Sequence, residues 1–150
     1  MKKITFIFIF FIMLNSCGYK AIYSNNNFNF NIIKIEKIKK DKLNLEIEKK
    51  LNNFSNVQST NQISLTINAE KQIIITSKDK RGNPARYQMR VKVDLGILDD
   101  QNERIEKIFV QQFNYSTNSN KFQLNQYEKE IEKILISKII NEVIKNLSKL

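Results

Sequence analysis

The chain of 150 residues contains one cysteine, Cys17, and its surroundings suggest a specific chemistry for that thiol. Two lysines precede the apolar run 4–14 (ITFIFIFFIML), which has the length of a signal-peptide core and is shorter than the roughly 20 residues that span a bilayer. Residues 14–17 (LNSC) then match a lipobox, in which the thiol accepts a diacylglyceryl group and cleavage makes Cys17 the new N-terminus. We therefore predict a signal peptide over residues 1–16 and a lipid-anchored envelope protein that faces the periplasm.

Two alternatives remain open for this N-terminal region. The apolar run is also compatible with a buried helix or strand of the folded domain. The second alternative is a secreted protein without a lipid anchor. Its single cysteine would then be a free thiol without an evident role, whereas lipidation gives that thiol a function. No disulfide can form within a chain that has one cysteine.

Catalytic groups are scarce in the rest of the chain. Histidine is absent, which excludes Ser-His-Asp and Cys-His catalysis as well as histidine-ligated zinc. Asp99 and Asp100 are adjacent, but they lie in a predicted turn, where the side chains of neighbouring residues diverge. The three glycines form no phosphate-binding loop. We predict that the protein is not an enzyme and that it uses no metal and no cofactor.

Basic side chains carry more information. The formal net charge is +10, which favours polyanionic partners such as nucleic acid, anionic lipid or the phosphates of lipopolysaccharide. A periplasmic location argues against nucleic acid. One predicted turn concentrates cations at Lys78, Lys80 and Arg81, with Arg86 just beyond it. The alternative for each of these side chains is a solvated position that only keeps the domain soluble.

Hydrophobic periodicity predicts the elements that position these residues. Residues 17–29 are polar and asparagine-rich, which predicts a tether, and residues 30–150 are predicted to form one domain. Alternation of apolar and polar residues predicts strands, and recurrence at steps of three and four predicts helices. The predicted strands are 30–38, 62–76, 86–98 and 104–115, and the predicted helices are 41–54, capped by Asp41, and 125–150.

Individual residues predict further details of these elements. In 41–54 the alternation of Leu43, Leu45 and Ile47 also permits a strand. Gly96 is predicted to mark a β-bulge. Residues 116–124 are predicted to be a loop, and Asn125 with Glu128 resembles a capping box at the start of the last helix. The predicted apolar stripe of that helix consists of Tyr127, Ile131, Ile134, Leu135, Ile139, Val143 and Leu147, widened by Ile136, Ile140 and Ile144.

The order of elements predicts the fold class. We expect an α+β two-layer sandwich in which a four-stranded mixed sheet carries both helices on one face, in the order β-α-β-β-β-α. Three consecutive strands form an antiparallel meander, because turns connect them directly. The first strand is expected to run parallel to a neighbour through a right-handed crossover.

With these elements in place, four segments resemble the LptE/RlpB family of lipopolysaccharide-assembly lipoproteins. They are residues 17–19 (CGY) at the lipidation site, the hairpin 81–89 (RGNPARYQM), the strand end 95–99 (LGILD) and the start of the terminal helix. The resemblance implies an outer-membrane lipoprotein on the periplasmic side. Such a protein plugs and helps assemble the LptD β-barrel and assists lipopolysaccharide delivery to the outer leaflet.

The resemblance also implies where lipopolysaccharide is contacted. A basic residue in the strand hairpin has this role in the family, so Lys80 or Arg81 would inherit it by position, with Arg86 nearby. A second basic position near the last helix would correspond to Lys121. Two rivals remain: a generic envelope adaptor that binds another protein or peptidoglycan, and a binder of anionic lipid.

Overall fold

The computed structural model describes residues 28–99 and 103–150. The predicted signal peptide, Cys17 and all but the last two residues of the predicted tether lie outside the described residues, as does part of the turn after residue 99. The described elements follow one another as β1 (Asn31–Lys37), α1 (Lys42–Asn52), β2 (Gln62–Lys78), β3 (Pro84–Leu98), β4 (Arg104–Ser116) and α2 (Lys121–Leu147).

One four-stranded sheet in the order β1-β2-β3-β4 forms the first layer. β1 runs parallel to β2, and the pairs β2–β3 and β3–β4 are antiparallel. Helix α1 packs on β1 and β2, α2 packs on β3 and β4, and the two helices contact each other. Both helices therefore cover the same face, which confirms the predicted α+β sandwich and its β-α-β-β-β-α order.

Alternation in the strands produces the core. Ile63, Leu65 and Ile67 of β2 are at most 1 % exposed and face the helices, while the residues between them lie on the open face. In β3 the same alternation buries Met89, Val91, Val93, Leu95 and Ile97. Each such side chain contributes about 1.5–3 kcal/mol when it is fully buried, so the covered face supplies most of the stability.

Helix α1 resolves the ambiguity over residues 41–54 in favour of the helix. Asp41 is its N-cap, and the carboxylate accepts a hydrogen bond of 2.9 Å from the backbone N–H of Asn44. This bond and a second one from the Asn44 side chain hold the pKa of Asp41 below its usual value. Ile47 and Leu51 are buried one turn apart, whereas Leu45, which a strand would place on the same face as Ile47, is 41 % exposed.

Helix α2 begins earlier than predicted. Asn120 is its N-cap and accepts hydrogen bonds from the N–H groups of Phe122 and Gln123, at 3.0 and 3.2 Å. The loop predicted over residues 116–124 is therefore wrong from residue 121 onward, and the capping box predicted at Asn125 does not form. Asparagine caps equally well at both positions, and the Glu128 carboxylate is bonded to a tyrosine of β4 instead.

The apolar stripe of α2 is also rotated from its predicted position. Tyr127 and Ile134 are 44 % and 51 % exposed, whereas Ile136, Ile140 and Ile144 are buried beside the rest of the stripe. The helix packs against α1 as well as the sheet, so its buried face turns toward the side that carries Ile140.

The bulge predicted at Gly96 is wrong. Gly96 pairs in unbroken register with Thr66 on one side and Glu106 on the other. A Cβ atom at this position would lie 3.5 Å from the Thr66 Cβ, which is an ordinary contact. The strand register is irregular elsewhere, between Ile32 and Lys34 of β1 and between Ile75 and Lys78 of β2.

Candidate functional site

The turn that carries Lys80 and Arg81 extends from a part of the sheet that we call the distal sheet, residues 71–78 of β2, 84–91 of β3 and 111–116 of β4. Every residue of β2 from 71 to 78 is exposed, in contrast to the alternating burial before it. Ile73, Ile74 and Ile75 are 44 %, 43 % and 47 % exposed. The change occurs because β1 pairs with β2 only as far as Ile67.

Three tyrosines join the distal sheet to α2. The rings of Tyr87 and Tyr115 stack with centroids 5.5 Å apart, and Tyr127 of α2 meets Tyr115 edge-on at 6.2 Å. The Tyr115 hydroxyl donates a 2.7 Å hydrogen bond to the Glu128 carboxylate. Burial, and then this bond to a carboxylate, raises the pKa of Tyr115 well above its ordinary value. Sequence reasoning missed this cluster, because only the strand register and the helix position bring the rings together.

The turn between β2 and β3 is organised by Asp79. One of its carboxylate oxygens accepts from the N–H groups of Arg81 and Asn83, at 2.8 and 2.9 Å, and the other accepts from the Asn83 side chain at 3.2 Å. The hydrogen bonds from Asn83 are the main cause that lowers the pKa of Asp79. Gly82 has φ of +85°, a conformation that favours glycine. The backbone of the turn that carries Lys80 and Arg81 is therefore held in one geometry.

The structure places all four predicted cationic site residues at one end of the molecule. Lys80 and Arg81 lie in the turn, and Arg86 pairs with Ser116 at the end of β4. The N–H of Thr117 donates to the Ala85 carbonyl at 3.0 Å, which holds the start of α2, and with it Lys121, beside the hairpin.

These four side chains do not converge in a pocket. All four are exposed, and none forms an ion pair with any described residue. Arg86 lies on the face opposite to the helices, because its neighbour Tyr87 faces them, and Lys121 lies on the helical side. The arrangement is an exposed cationic end with free guanidinium and ammonium groups, suited to contact with an extended anionic surface.

A groove of about 750 Å³ lies on the helical side between α1, α2 and β2. Its charged lining is balanced: five cations (Lys39, Lys42, Lys71, Lys129 and Lys133) stand against five anions (Asp41, Glu46, Glu70, Glu128 and Glu132). Two of these pairs, Lys39 with Glu70 and Lys71 with Glu132, form ion pairs across its floor and wall. The groove has no excess charge that would attract a polyanion.

Metal ligation and membrane spanning find no support within residues 28–99 and 103–150. No group of acidic, histidine or cysteine side chains in these ranges could hold a metal ion. In the same ranges no helix combines the length and the apolar character that crossing a bilayer requires.

Comparison with known proteins gives matches at the level of structure. No protein-family model and no curated protein sequence matches the chain. Rare lipoprotein B from Shewanella oneidensis has a TM-score of 0.58 at 13 % identity, covering 79 % of this chain and 95 % of that one. An uncharacterized lipoprotein B from Nitrosomonas europaea has a TM-score of 0.58 at 12 % identity and covers 88 % of this chain and 91 % of its own. A minor lipoprotein from Acinetobacter baumannii has a TM-score of 0.53 at 17 % identity and covers 81 % of this chain and 92 % of its own.

The chain therefore has the two-layer α+β fold of these bacterial lipoproteins. The resemblance to the LptE/RlpB family, inferred from short sequence segments, is confirmed at the level of the fold, because rare lipoprotein B is among the structures that share it. The identities of 12–17 % are too low to transfer any residue's role.

Proposed function

We propose that this protein is an LptE-like outer-membrane lipoprotein, anchored through Cys17 on the periplasmic side. In this proposal it plugs and helps assemble a large LptD-like β-barrel and assists the delivery of lipopolysaccharide to the outer leaflet. The observation that carries the proposal is the exposed, unpaired cationic end at Lys80 and Arg81, on a fold shared with rare lipoprotein B. The lipobox at residues 14–17 supports the anchor.

Physical chemistry supports a phosphate ligand at this end. A guanidinium group binds phosphate through two parallel hydrogen bonds, and the ammonium group of Lys80 adds a point charge beside it. Because Asp79 fixes the turn through several hydrogen bonds, little backbone entropy is lost when the ligand binds. The side chains are exposed, so salt should weaken the contact. No step of this role needs covalent chemistry.

The proposal is tested with purified protein and lipopolysaccharide. Exchanging both Lys80 and Arg81 for Glu should weaken binding about tenfold or more, because two charge-assisted contacts are lost, and should flatten the dependence on salt. The matched control exchanges Lys40 and Lys149 for Glu, which changes the net charge equally at exposed positions away from the turn. Equal weakening in both variants would show only a general charge effect and would contradict the site.

A pull-down from membranes distinguishes the proposal from its alternative, which is a generic envelope adaptor for another protein or for anionic lipid. The uncovered distal edge of β2 favours that adaptor. A tagged full chain, purified gently from membranes, should bring a stoichiometric outer-membrane barrel with it. If the tagged protein is recovered without a barrel, and if it binds vesicles of anionic phospholipid as tightly as it binds lipopolysaccharide, the alternative would be favoured.

A further inference from the structure

The second strand has an edge that is longer than the strand that covers it. β1 pairs with β2 from Gln62 to Ile67, and the Ile38 N–H adds one bond to the Ile67 carbonyl. Along the part of the chain that the structure describes, no strand pairs with this edge beyond Ala69. The segment Lys71–Lys78 is therefore bonded to β3 on one side only.

The side chain of Asn44 shows which way the backbone of this edge points. Its amide oxygen accepts from the Ala69 N–H at 2.8 Å, and its amide nitrogen donates to the Ala69 carbonyl at 3.1 Å. Asn44 thus replaces one peptide group of a neighbouring strand. Strand backbone groups alternate in direction with a period of two, so Lys71, Ile73 and Ile75 point their N–H and C=O groups to the same open edge.

The residues at this edge have the character of a pairing strand. Residues 72–77 (QIIITS) contain no charge and no proline, and β-branched side chains dominate. Native proteins protect such edges with charges, proline or bulges. Here the protection is confined to the two ends, with Lys71 at one and the irregularity after Ile75 at the other. The segment between them is a template on which an extended chain can add a strand.

The groove described above lies beside this template. Its floor includes Lys71 and Ile73 of β2, and Leu43 of α1 forms part of its wall. A strand added to the edge would place every second side chain on the helical side, over this space of about 750 Å³. Backbone hydrogen bonds would then supply affinity, and the groove would select the side chains that fit.

Charge at the two ends of the edge indicates the occupant. Lys40 and Lys42 lie, unpaired with any described residue, at the end near α1, where the Asp41 carboxylate is engaged in the helix cap and Lys39 is paired with Glu70. Lys78, Lys80 and Arg81 lie at the other end. A second copy pairing antiparallel would bring the turn of one molecule against the α1 end of the other, with cations facing cations. That repulsion argues against an edge-to-edge dimer.

We propose that the edge Lys71–Lys78 accepts a strand of a partner protein, with uncharged β-branched residues in its centre and acidic residues at both ends. The proposal requires no lipopolysaccharide and no barrel, so it stands or fails independently of the function proposed above.

Hydrogen exchange of the full chain tests this proposal, with a synthetic peptide as the probe. The probe is Glu-Glu-Thr-Val-Thr-Val-Thr-Glu-Glu with blocked ends. Its addition should slow exchange of the amides of Lys71, Ile73 and Ile75 at least tenfold, because these N–H groups gain acceptors. The same peptide N-methylated at every residue from its third to its seventh, which blocks both of its edges, should give no protection. A version with Lys in place of Glu should bind at least fivefold more weakly.

A pair of variants locates the site. Ile73→Pro removes an edge N–H while leaving the bonds to β3 in place, and proline is tolerated on edge strands. Ile73→Thr keeps the N–H and is the matched control. Peptide protection should be lost in the first variant and retained in the second.

Three results would overturn the proposal. The first is equal protection by the N-methylated and the unmodified peptide, and the second is protection at other amides only. The third is protection that rises with protein concentration in the absence of peptide, which would assign the edge to a second copy of this chain.

Discussion

The two halves of β2 contain similar residues and have opposite environments. Ile63, Leu65 and Ile67 are buried under the helices, whereas Ile73 and Ile75, on the same face of the same strand, are nearly half exposed. The difference lies in what covers them, because β1 and α1 end before the distal residues begin. Residue type therefore determines that the segment forms a strand, but the lengths of the neighbouring elements determine whether its side chains are buried in the core or exposed for interaction.

The largest expected effect comes from truncating one isoleucine in each half. Ile67→Ala leaves a cavity under the helices and should lower the free energy of unfolding by about 2–5 kcal/mol. Ile73→Ala removes a side chain that is 44 % exposed and should cost less than about 1 kcal/mol. Urea denaturation of both variants measures the contrast. Similar costs would mean that the distal half also belongs to the folding core.

The boundary between the halves depends on Asn44. Asn44→Ala leaves the N–H and C=O of Ala69 without partners in a buried place, which should cost about 1–3 kcal/mol and speed exchange of the Ala69 amide. Asn68→Ala is the matched control, because its amide makes one long 3.4 Å contact to Asp94 on the open face. If the control were as costly as Asn44→Ala, the boundary would not depend on this side chain.

The smallest expected effect concerns the bond that joins α2 to the distal sheet. Tyr115→Phe keeps the ring stacked but removes the hydroxyl bond to Glu128, which should cost about 0.5–1.5 kcal/mol. Folding raises the pKa of Tyr115, so its contribution is complete below the ordinary tyrosine value of 10.0 and is lost as the pH rises beyond it. Unfolding at pH 8 and pH 11 should show the difference between wild type and variant shrinking. A constant difference would rule out the hydroxyl as its source.

Much of the fold could be predicted because each strand alternates over many residues. The alternation over 86–98 predicts which residues of β3 are buried. Turn residues such as Gly82 and Asn83 predict that β2 and β3 are connected directly and run antiparallel. The start of α2 could not be predicted from sequence, since Asn120 and Asn125 are equally good caps. In the structure Asn120 caps the helix, and the Glu128 carboxylate accepts a hydrogen bond from Tyr115.

The sequence predicts that Lys80, Arg81 and Arg86 lie near one turn, and the structure places them there; their role toward lipopolysaccharide comes from the resemblance alone and stays a prediction. The role of Asp79 in fixing that turn was missed. The signal was present, because aspartate before a glycine-containing turn commonly bonds to the backbone just beyond it. The uncovered edge was missed too, although the first predicted strand was six residues shorter than its partner.

The chain enters the domain at the end of the sheet opposite to the cationic turn. Phe28 packs on Phe54 with ring centroids 5.6 Å apart, and Asn29 bonds to the Ser148 carbonyl at 3.3 Å, so the tether joins the domain beside the end of α2. The turn at Asp79 lies at the opposite end of β2, whose 17 residues extend about 55 Å at 3.3 Å per residue. The cationic turn therefore lies about 55 Å from the point where the chain enters the domain, so the proposed anchor and the proposed ligand site would act at opposite ends of the molecule.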